Sequence, residues 1–228
     1  RESDMFEGKT LWNIMQMGGF TILALAFCSV LSLSVIAERV YYFWKRSRAA
    51  RPAFMHSLMA RLGSGDIAGA QALCESTPAP FADVALAGIR SRDDSTQNIE
   101  NAMDRQISIE VADLERYTAI LGTIGSTAVY IGLFGTVLGI IHAFQDIAKV
   151  GGGGINIVIG GIAEALICTA AGISVAVPAV IAYNYLEKRI ERFTTDMELC
   201  LSQLADFFTA RNTAHETTAK RKKAKNDR

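Results

Sequence analysis

Glu164 is the only charged residue between Val150 and Leu186, in a stretch apolar enough for the interior of a lipid bilayer. An acidic side chain at the centre of a membrane helix costs roughly 2.5 to 3.5 kcal/mol on insertion scales. Acids that are kept at such a position usually face the interior of a bundle and mark the path of an ion. Residue type and position therefore make Glu164 a candidate for sensing or passing a cation.

Two threonines are the next candidates for an ion path. Thr136 lies in the apolar segment before that of Glu164, and Thr169 follows Glu164 by little more than one helical turn. A hydroxyl can line a polar path because it both donates and accepts hydrogen bonds. It can equally bond to the carbonyl four residues earlier in its own helix. The residues alone leave both interpretations open, and Glu164 could likewise form a structural hydrogen bond while protonated.

The sequence shows no pattern typical of an enzyme. It contains no recognisable nucleophile–base pair, no phosphate-binding loop and no metal-ligand spacing among its scattered histidines. We expect no cofactor other than the transported ion. The four cysteines form no CxxC pair, so we expect reduced thiols that act as small apolar fillers: Cys28, Cys74, Cys168 and Cys200.

Three stretches are long enough to span a hydrocarbon core of about 30 Å, which takes about 20 helical residues. They predict an all-α membrane protein with transmembrane helices at 18–37, 117–147 and 156–186. Aromatic and basic residues follow the first stretch, where a signal peptide would carry a cleavage site. We therefore interpret it as a membrane anchor.

Basic residues cluster after the first and third predicted spans, and only Lys149 lies between the second and third. Because loops rich in lysine and arginine stay in the cytoplasm, this distribution predicts the orientation. The N-terminal segment of residues 1–17 and the glycine-rich turn of 148–155 would lie outside. The region of residues 38–116 and the C-terminus would lie in the cytoplasm.

The predicted cytoplasmic parts are helical. Breakers at Gly63–Gly65 and at Thr77–Pro80 divide residues 38–116 into short helices, and Asp66 could cap one of them. A longer helix should start near Thr96 and run without interruption to about Ala148. The third span should likewise continue as an amphipathic helix over 187–212, forming a cytoplasmic helical bundle, before a basic and disordered tail at 213–228.

Glycines line one face of each of the two inner spans. At helical spacing, small residues let membrane helices approach closely. The predicted packing positions are Gly132, Gly135, Gly139, Gly161 and Gly172.

Two motifs resemble the signatures of the ExbB/TolQ branch of the MotA/TolQ/ExbB proton-channel family. Residues Ile131–Phe144 are similar to its second-span signature. Residues Gly161–Gly172, followed by Val177-Pro178-Ala179, are similar to its third-span signature. The chain departs from the family at two positions, since the family often has proline where this chain has Val129, and proline before the glycine where this chain has Gly160-Gly161.

The resemblance implies a homopentamer in the bacterial inner membrane, with the N-terminus in the periplasm and the second and third spans lining a central lumen. A single-span ExbD/TolR-like partner would place an aspartate in that lumen. Proton flow, with sodium as the less expected ion, would energise a TonB- or TolA-like protein. Glu164, Thr136 and Thr169 match the family's polar positions at the lumen. Because Glu164 and Thr169 lie about 140° apart on a helix, Thr169 could instead lie at the seam between subunits.

Two other functions remain open from the sequence. The chain could serve a gliding motor or another motility or secretion motor, or it could be a passive oligomeric scaffold in which Glu164 is structural. The sequence also leaves open whether the system is of the ExbB or the TolQ type.

Overall fold

The computed structural model describes residues 19–47, 49–150 and 155–226, with side chains for all of these except 149–150, 155–158 and 213–226. Across this part of the chain the structure is helical and contains no strand, which confirms the all-α prediction. The N-terminal segment of residues 1–17 and the run of four glycines in the predicted outer turn lie outside the described residues. The helices are α1 Gly19–Arg46, α2 Arg51–Gly63, α3 Ile67–Ser76, α4 Pro80–Arg90, α5 Thr96–Glu115, α6 Thr118–Val150 and α7 Ile155–Asn226.

Three stretches of the described helices are long and apolar enough to cross a membrane, so the predicted number of candidate spans is confirmed. They lie within Gly19–Arg46, Thr96–Ala148 and Ile159–Asn212. The depth of a bilayer along these helices, and hence the boundaries given above for each span, stays a prediction.

The helices divide into two packed units. The first contains the described residues up to Arg39 together with those of Tyr117–Leu186, and so the apolar parts of α1, α6 and α7. Its core holds small and branched side chains from all three helices: Leu25, Ile124, Ala128, Ala176 and Ala179. Because three of these five are alanines, the helix backbones of this unit lie close together.

The second unit contains Val40–Arg116 and the chain from Glu187 onward. Its core is built from larger side chains, with the rings of Phe54 and Phe81 5.1 Å apart. The amphipathic helix predicted to continue the third span buries its apolar stripe here, at Met197, Leu204 and Phe208. The helices predicted to need partners are therefore partnered within one chain.

Local signals set the helix ends in the second unit. The side chain of Asp66 accepts a hydrogen bond from the Gly69 amide at 2.9 Å, as expected of a residue that caps α3. Ser95 caps α5 in the same way through the Asn98 amide. Pro80 opens α4, where a missing N–H costs nothing. These predicted boundaries are confirmed to within about two residues.

The prediction of one continuous helix from Thr96 to about Ala148 is wrong at a single point. α5 ends at Glu115 and α6 begins at Thr118, because Tyr117 has a positive φ of 65°. The guanidinium of Arg39 lies over the Tyr117 ring, 5.5 Å from its centroid. A left-handed conformation is rare for an aromatic residue, and neither glycine nor proline marks this position in the sequence.

α7 contains the longest run without interruption. It passes through Pro178 and extends to Asn226, so the segment from Thr213 is helical where the sequence suggests a disordered tail. No glycine or proline follows Pro178, and the lysines and alanines of this segment are good helix formers. The side chains of its basic cluster, Lys220–Lys223, lie outside the described ones.

Candidate functional site

The contact between α6 and α7 is a backbone contact. A methyl group built on Gly132 would lie 2.7 Å from the carbonyl oxygen of Cys168 and 3.2 Å from the Cα of Thr169. A methyl group on Gly172 would lie 2.7 Å from the Ala128 carbonyl oxygen. Side chains do not approach backbone atoms this closely, so only glycine fits at either position.

The other three glycines predicted to pack also lie at helix contacts. A methyl group on Gly139 would lie 2.7 Å from the Cβ of Ala165, and one on Gly161 would lie 2.5 Å from the Cβ of Ala143. A methyl group on Gly135 would lie 2.9 Å from the Cβ of Cys168 and 2.8 Å from the Oγ1 of Thr21 on α1. The glycine face of α6 therefore contacts α7 along several turns and contacts α1 at one place.

Thr136 and Thr169 form a hydroxyl pair across this contact. Their Oγ1 atoms are hydrogen-bonded to each other. Thr136 can donate to the Gly132 carbonyl of its own helix at 3.2 Å and to the Ala165 carbonyl of α7 at 3.3 Å. Thr169 can donate to Gly132 at 3.4 Å. The two threonines thus meet within one chain, and a position of Thr169 at the seam between subunits stays a prediction.

The pair has a limited supply of protons. Each hydroxyl carries one proton, so when one threonine donates to the other, only the second can donate to a carbonyl. Since either oxygen can be the donor, the pair has two hydrogen-bond arrangements with the same heavy-atom positions. The polar contact can therefore reverse its direction by rotation of the two hydroxyl hydrogens, while both oxygens stay in place.

Glu164 lies on a different edge of α7 from this pair. The residues of α7 that are buried in the first unit, among them Ala165, Cys168 and Gly172, define one face of the helix. At about 100° per residue, Glu164 falls at one edge of that face and Thr169 falls at the other. Both are half-buried, in agreement with these positions. The carboxyl group is thus held beside the packed face and not in its centre.

One buried polar residue near this region was missed in the sequence. Thr21 of α1 is buried, and its hydroxyl donates to the Sγ of Cys168 at 3.8 Å. A lone threonine in an apolar segment gives no distinctive signal. Only the packing of α1 against α7 identifies it.

The second unit holds a separate ionic cluster. Arg46 of α1 donates to Asp83 of α4 at 2.7 Å and to Glu110 of α5 at 2.6 Å, and Gln106 donates to Glu110 at 3.1 Å. Burial raises the pKa of the Glu110 carboxyl, the charge of Arg46 opposes that rise, and the charge of Asp83 adds to it. For Arg46, burial alone would lower the pKa, but bonds to Tyr42 and Asp83 and the charge of Glu110 raise it.

The pKa values of Arg46 and Glu110 are both raised, but for different reasons. The pKa of Arg46 is raised, against the effect of burial, by its hydrogen bonds to Tyr42 and Asp83 and by the charge of Glu110. The pKa of Glu110 is also raised because one shared cation does not offset its burial. Glu110 is the nearly buried partner and Arg46 is more exposed, so we give weight to the cost of burying Glu110. The cluster connects α1, α4 and α5. Within it, the ionised form of Glu110 is the one that burial disfavours.

Two of the cysteines, Cys74 and Cys200, are made unreactive by burial. All four are free, and burial raises the pKa of the Cys74 and Cys200 thiols to about 12. Both therefore remain uncharged thiols near neutral pH, which agrees with the prediction of apolar fillers. Cys168 differs, since it accepts the hydrogen bond from Thr21.

The fold and the site together define a class of protein. The chain is a helical membrane protein with three candidate spans, and its glycine-packed inner helices carry a hydroxyl pair and a carboxyl group. Residues 76–199 match the MotA/TolQ/ExbB proton channel family, a region that contains all of α4, α5 and α6 and the part of α7 up to residue 199. The chain belongs to this family.

Curated relatives agree with this assignment. The Tol-Pal system protein TolQ of Pseudomonas aeruginosa is 47% identical over 95 residues, which cover 42% of this chain and 41% of that protein. The biopolymer transport protein ExbB of Pseudomonas putida is 35% identical over 118 residues, covering 52% of this chain and 36% of that protein. ExbB of Neisseria gonorrhoeae is 51% identical over 78 residues, covering 34% and 36%. The matches thus span about two fifths of the length of these relatives.

Proposed function

We propose that this chain is a stator and channel subunit driven by the proton-motive force in the bacterial inner membrane. With an ExbD/TolR-like partner it energises a TonB- or TolA-like protein for transport at the outer membrane or for its integrity. The observation that carries the proposal is Glu164, a carboxyl group at the edge of the glycine-packed face of α7 in a chain of a proton channel family.

The ion path is assigned to Glu164, Thr136 and Thr169. Glu164 is half-buried, so it remains within reach of a group that arrives from outside this chain. The threonine pair lines the other edge of the same helix face and supplies hydroxyls whose hydrogen bonds can reverse. The transported ion is the proton, because hydroxyls and a single carboxyl group can relay protons but offer few ligands to sodium.

The assembly is a homopentamer with a central lumen. Large apolar side chains are exposed on all three helices of the first unit, including Phe27, Phe134 and Leu166, at 69%, 58% and 57%. Such surfaces need lipid or neighbouring subunits. In the proposed pentamer α6 and α7 line the lumen, and the remaining apolar faces contact adjacent subunits and lipid.

The partner is a single-span protein that brings an aspartate into the lumen. A proton that enters neutralises this aspartate beside Glu164, and its release on the cytoplasmic side restores the charge. Each unit charge that crosses the membrane yields about 2.3 kcal/mol per 100 mV. That energy suffices to bias a packed arrangement with two states, which in turn moves the TonB- or TolA-like protein.

The orientation follows from the distribution of basic residues. Arg46 and Arg51 follow the first span, and Lys188, Arg189 and Arg192 follow the third. The positive-inside rule supports a cytoplasmic position for the second unit and a periplasmic N-terminus. The second unit would then be the cytoplasmic helical bundle of the stator.

The test is proton flux into liposomes that contain the chain with or without its single-span partner. We expect flux that depends on membrane potential with both proteins, and little flux with the chain alone. Equal flux in sodium-free buffer would assign the ion as the proton. A passive scaffold would give no flux in either preparation, and that result would contradict the proposal.

A further inference from the structure

The starting point is a buried hydroxyl on α1, the helix to which neither motif assigns a role. Thr21 is 5% exposed, although its helix presents large apolar side chains such as Phe20, Leu23 and Phe27 to the outside. Its hydroxyl donates to the Sγ of Cys168 on α7 at 3.8 Å. A polar contact between helices at membrane depth requires two matched residues, so this pair marks a specific docking point.

The docking point lies on the same side of α7 as Glu164. Cys168 follows Glu164 by four residues, which places the two about 40° apart around the helix and one turn apart along it. Side chains in a helix lean toward its N-terminus, so the Cys168 side chain leans toward the turn that carries Glu164. Thr169 lies farther round the helix and contacts α6.

α6 leaves room for this contact. A methyl group on Gly135 would lie 2.8 Å from the Thr21 Oγ1 and 2.9 Å from the Cys168 Cβ. Gly135 is adjacent to Thr136 of the hydroxyl pair. The three helices of the first unit therefore converge where the polar residues of the site are found.

We propose that Thr21 is a positioning residue for Glu164, which it holds by docking α1 onto Cys168 one turn away. The inference rests on the proposed role of Glu164 in the ion path. The contact fixes the turn of α7 that presents the carboxyl group. α1 is thus a part of the ion-conducting structure, in addition to anchoring the chain.

The first test measures proton flux of the reconstituted complex with Thr21→Val, which keeps the branched shape and removes the hydroxyl. We expect flux to fall about three- to tenfold, which is the fold-change that corresponds to the free energy of a hydrogen bond between membrane helices. Thr21→Ser restores the hydroxyl and should restore flux. The matched control is Ser32→Ala, since the buried Ser32 hydroxyl on the same helix donates to the Ser29 carbonyl at 3.0 Å and should leave flux unchanged.

A double-mutant cycle identifies the partner. Cys168→Ala removes the acceptor and should lower flux as much as Thr21→Val, while the double variant should be no worse than either single one. Additive losses would overturn the inference, because they would mean that the two residues act separately. Cys168→Ser keeps an acceptor and should stay close to the unsubstituted complex.

A second measurement addresses Glu164 directly and does not need flux. The rate at which a hydrophobic carbodiimide labels Glu164 in membranes, read by mass spectrometry, reports the surroundings of the carboxyl group. We expect Thr21→Val to change this rate at least about threefold and Ser32→Ala to leave it unchanged. An unchanged rate in Thr21→Val would overturn the positioning role, even if flux fell through a loss of stability.

The outcomes separate this inference from the proposed function. If Glu164→Gln kept full flux, the proposed function would be wrong. If Glu164→Gln abolished flux while Thr21→Val kept both flux and labelling, the proposed function would stand and only the role of Thr21 would be wrong.

Discussion

At the scale of single residues, the central feature is the separation of two polar groups on one helix. Thr169 faces α6 and pairs with Thr136, while Glu164 lies at the other edge of the buried face of α7. A carboxyl group and a hydroxyl pair are thus presented in different directions by a spacing of five residues. The proposed ion path therefore does not require one continuous chain of hydrogen bonds between them.

The hydroxyl pair predicts a coupled effect of substitution. Thr136→Val or Thr169→Val removes one member and leaves the other to bond to a carbonyl. We expect each to lower proton flux about three- to tenfold, and the double variant to lower it no further. The measurement is flux in liposomes with the partner present.

The control for this pair is Thr127→Val on α6. The Thr127 hydroxyl is exposed and donates to the Thr123 carbonyl of its own helix at 2.7 Å. Its loss should leave flux unchanged. If Thr127→Val lowered flux as much as Thr136→Val, the effect would come from the helix and not from the pair.

At the scale of helices, the first unit depends on glycine and the second on larger side chains and ion pairs. In the first unit the hydrophobic effect does little to hold helices together inside lipid, so close backbone contact must do it. In the second unit, packed phenylalanines and the cluster around Arg46 join α1, α4 and α5. Each unit is stabilised by the means suited to its proposed surroundings.

The glycine contact predicts different effects of the same substitution at two positions. Gly132→Ala places a methyl group 2.7 Å from a backbone carbonyl and should destabilise the protein by about 1 to 3 kcal/mol. Gly160→Ala meets no atom within 4 Å and should be neutral or slightly stabilising. Thermal unfolding of both variants in detergent checks this, and equal effects would contradict the backbone contact.

The ionic cluster predicts a dependence on pH. Burial raises the pKa of Glu110 above its ordinary value of 4.5, so the folded protein binds this proton more tightly than the unfolded chain. Its contribution to stability is therefore full below the unfolded pKa and is lost as pH rises through the folded pKa. A glutamine side chain does not ionise, so Glu110→Gln avoids this loss of stability. We expect the variant to be as stable as the unsubstituted chain or up to about 2 kcal/mol more stable at neutral pH.

Hydrogen exchange of the α5 amides between about pH 4 and pH 8 measures this effect. The advantage of Glu110→Gln over the unsubstituted chain should grow as pH rises. Asp104→Asn, an exposed position on the same helix, should show no such trend. A variant that became less stable relative to the unsubstituted chain with rising pH would show that the attraction of Arg46 outweighs burial.

At the scale of the whole molecule, the sequence predicted what depends on local pattern. The helical class, the three candidate spans, the cap at Asp66, the start of α5 near Thr96 and the family all followed from spacing and motifs. The break at Tyr117 did not, because it depends on a left-handed residue that contacts Arg39 far along the chain. The polar contact of Thr21 was missed for the same reason, since its partner lies on another helix.

The candidate site was predictable by residue but not by arrangement. The motifs identified Glu164, Thr136 and Thr169, whereas the pairing of the two threonines required the register of α6 on α7. That register is set by glycines whose helical spacing the sequence shows, but whose partners it does not name. The proposal that these residues form an ion path in a pentamer rests on this arrangement and on the family.

The most direct measurement of the central claim is proton flux through the reconstituted complex with Glu164→Gln. The matched control is Glu191→Gln, the same change at an exposed acid on the same helix that pairs with Lys188 at 2.8 Å. We predict that Glu164→Gln lowers flux at least about tenfold while the complex still assembles, and that Glu191→Gln leaves it unchanged. Full flux with Glu164→Gln in an assembled complex would contradict the claim that this carboxyl group serves the ion path.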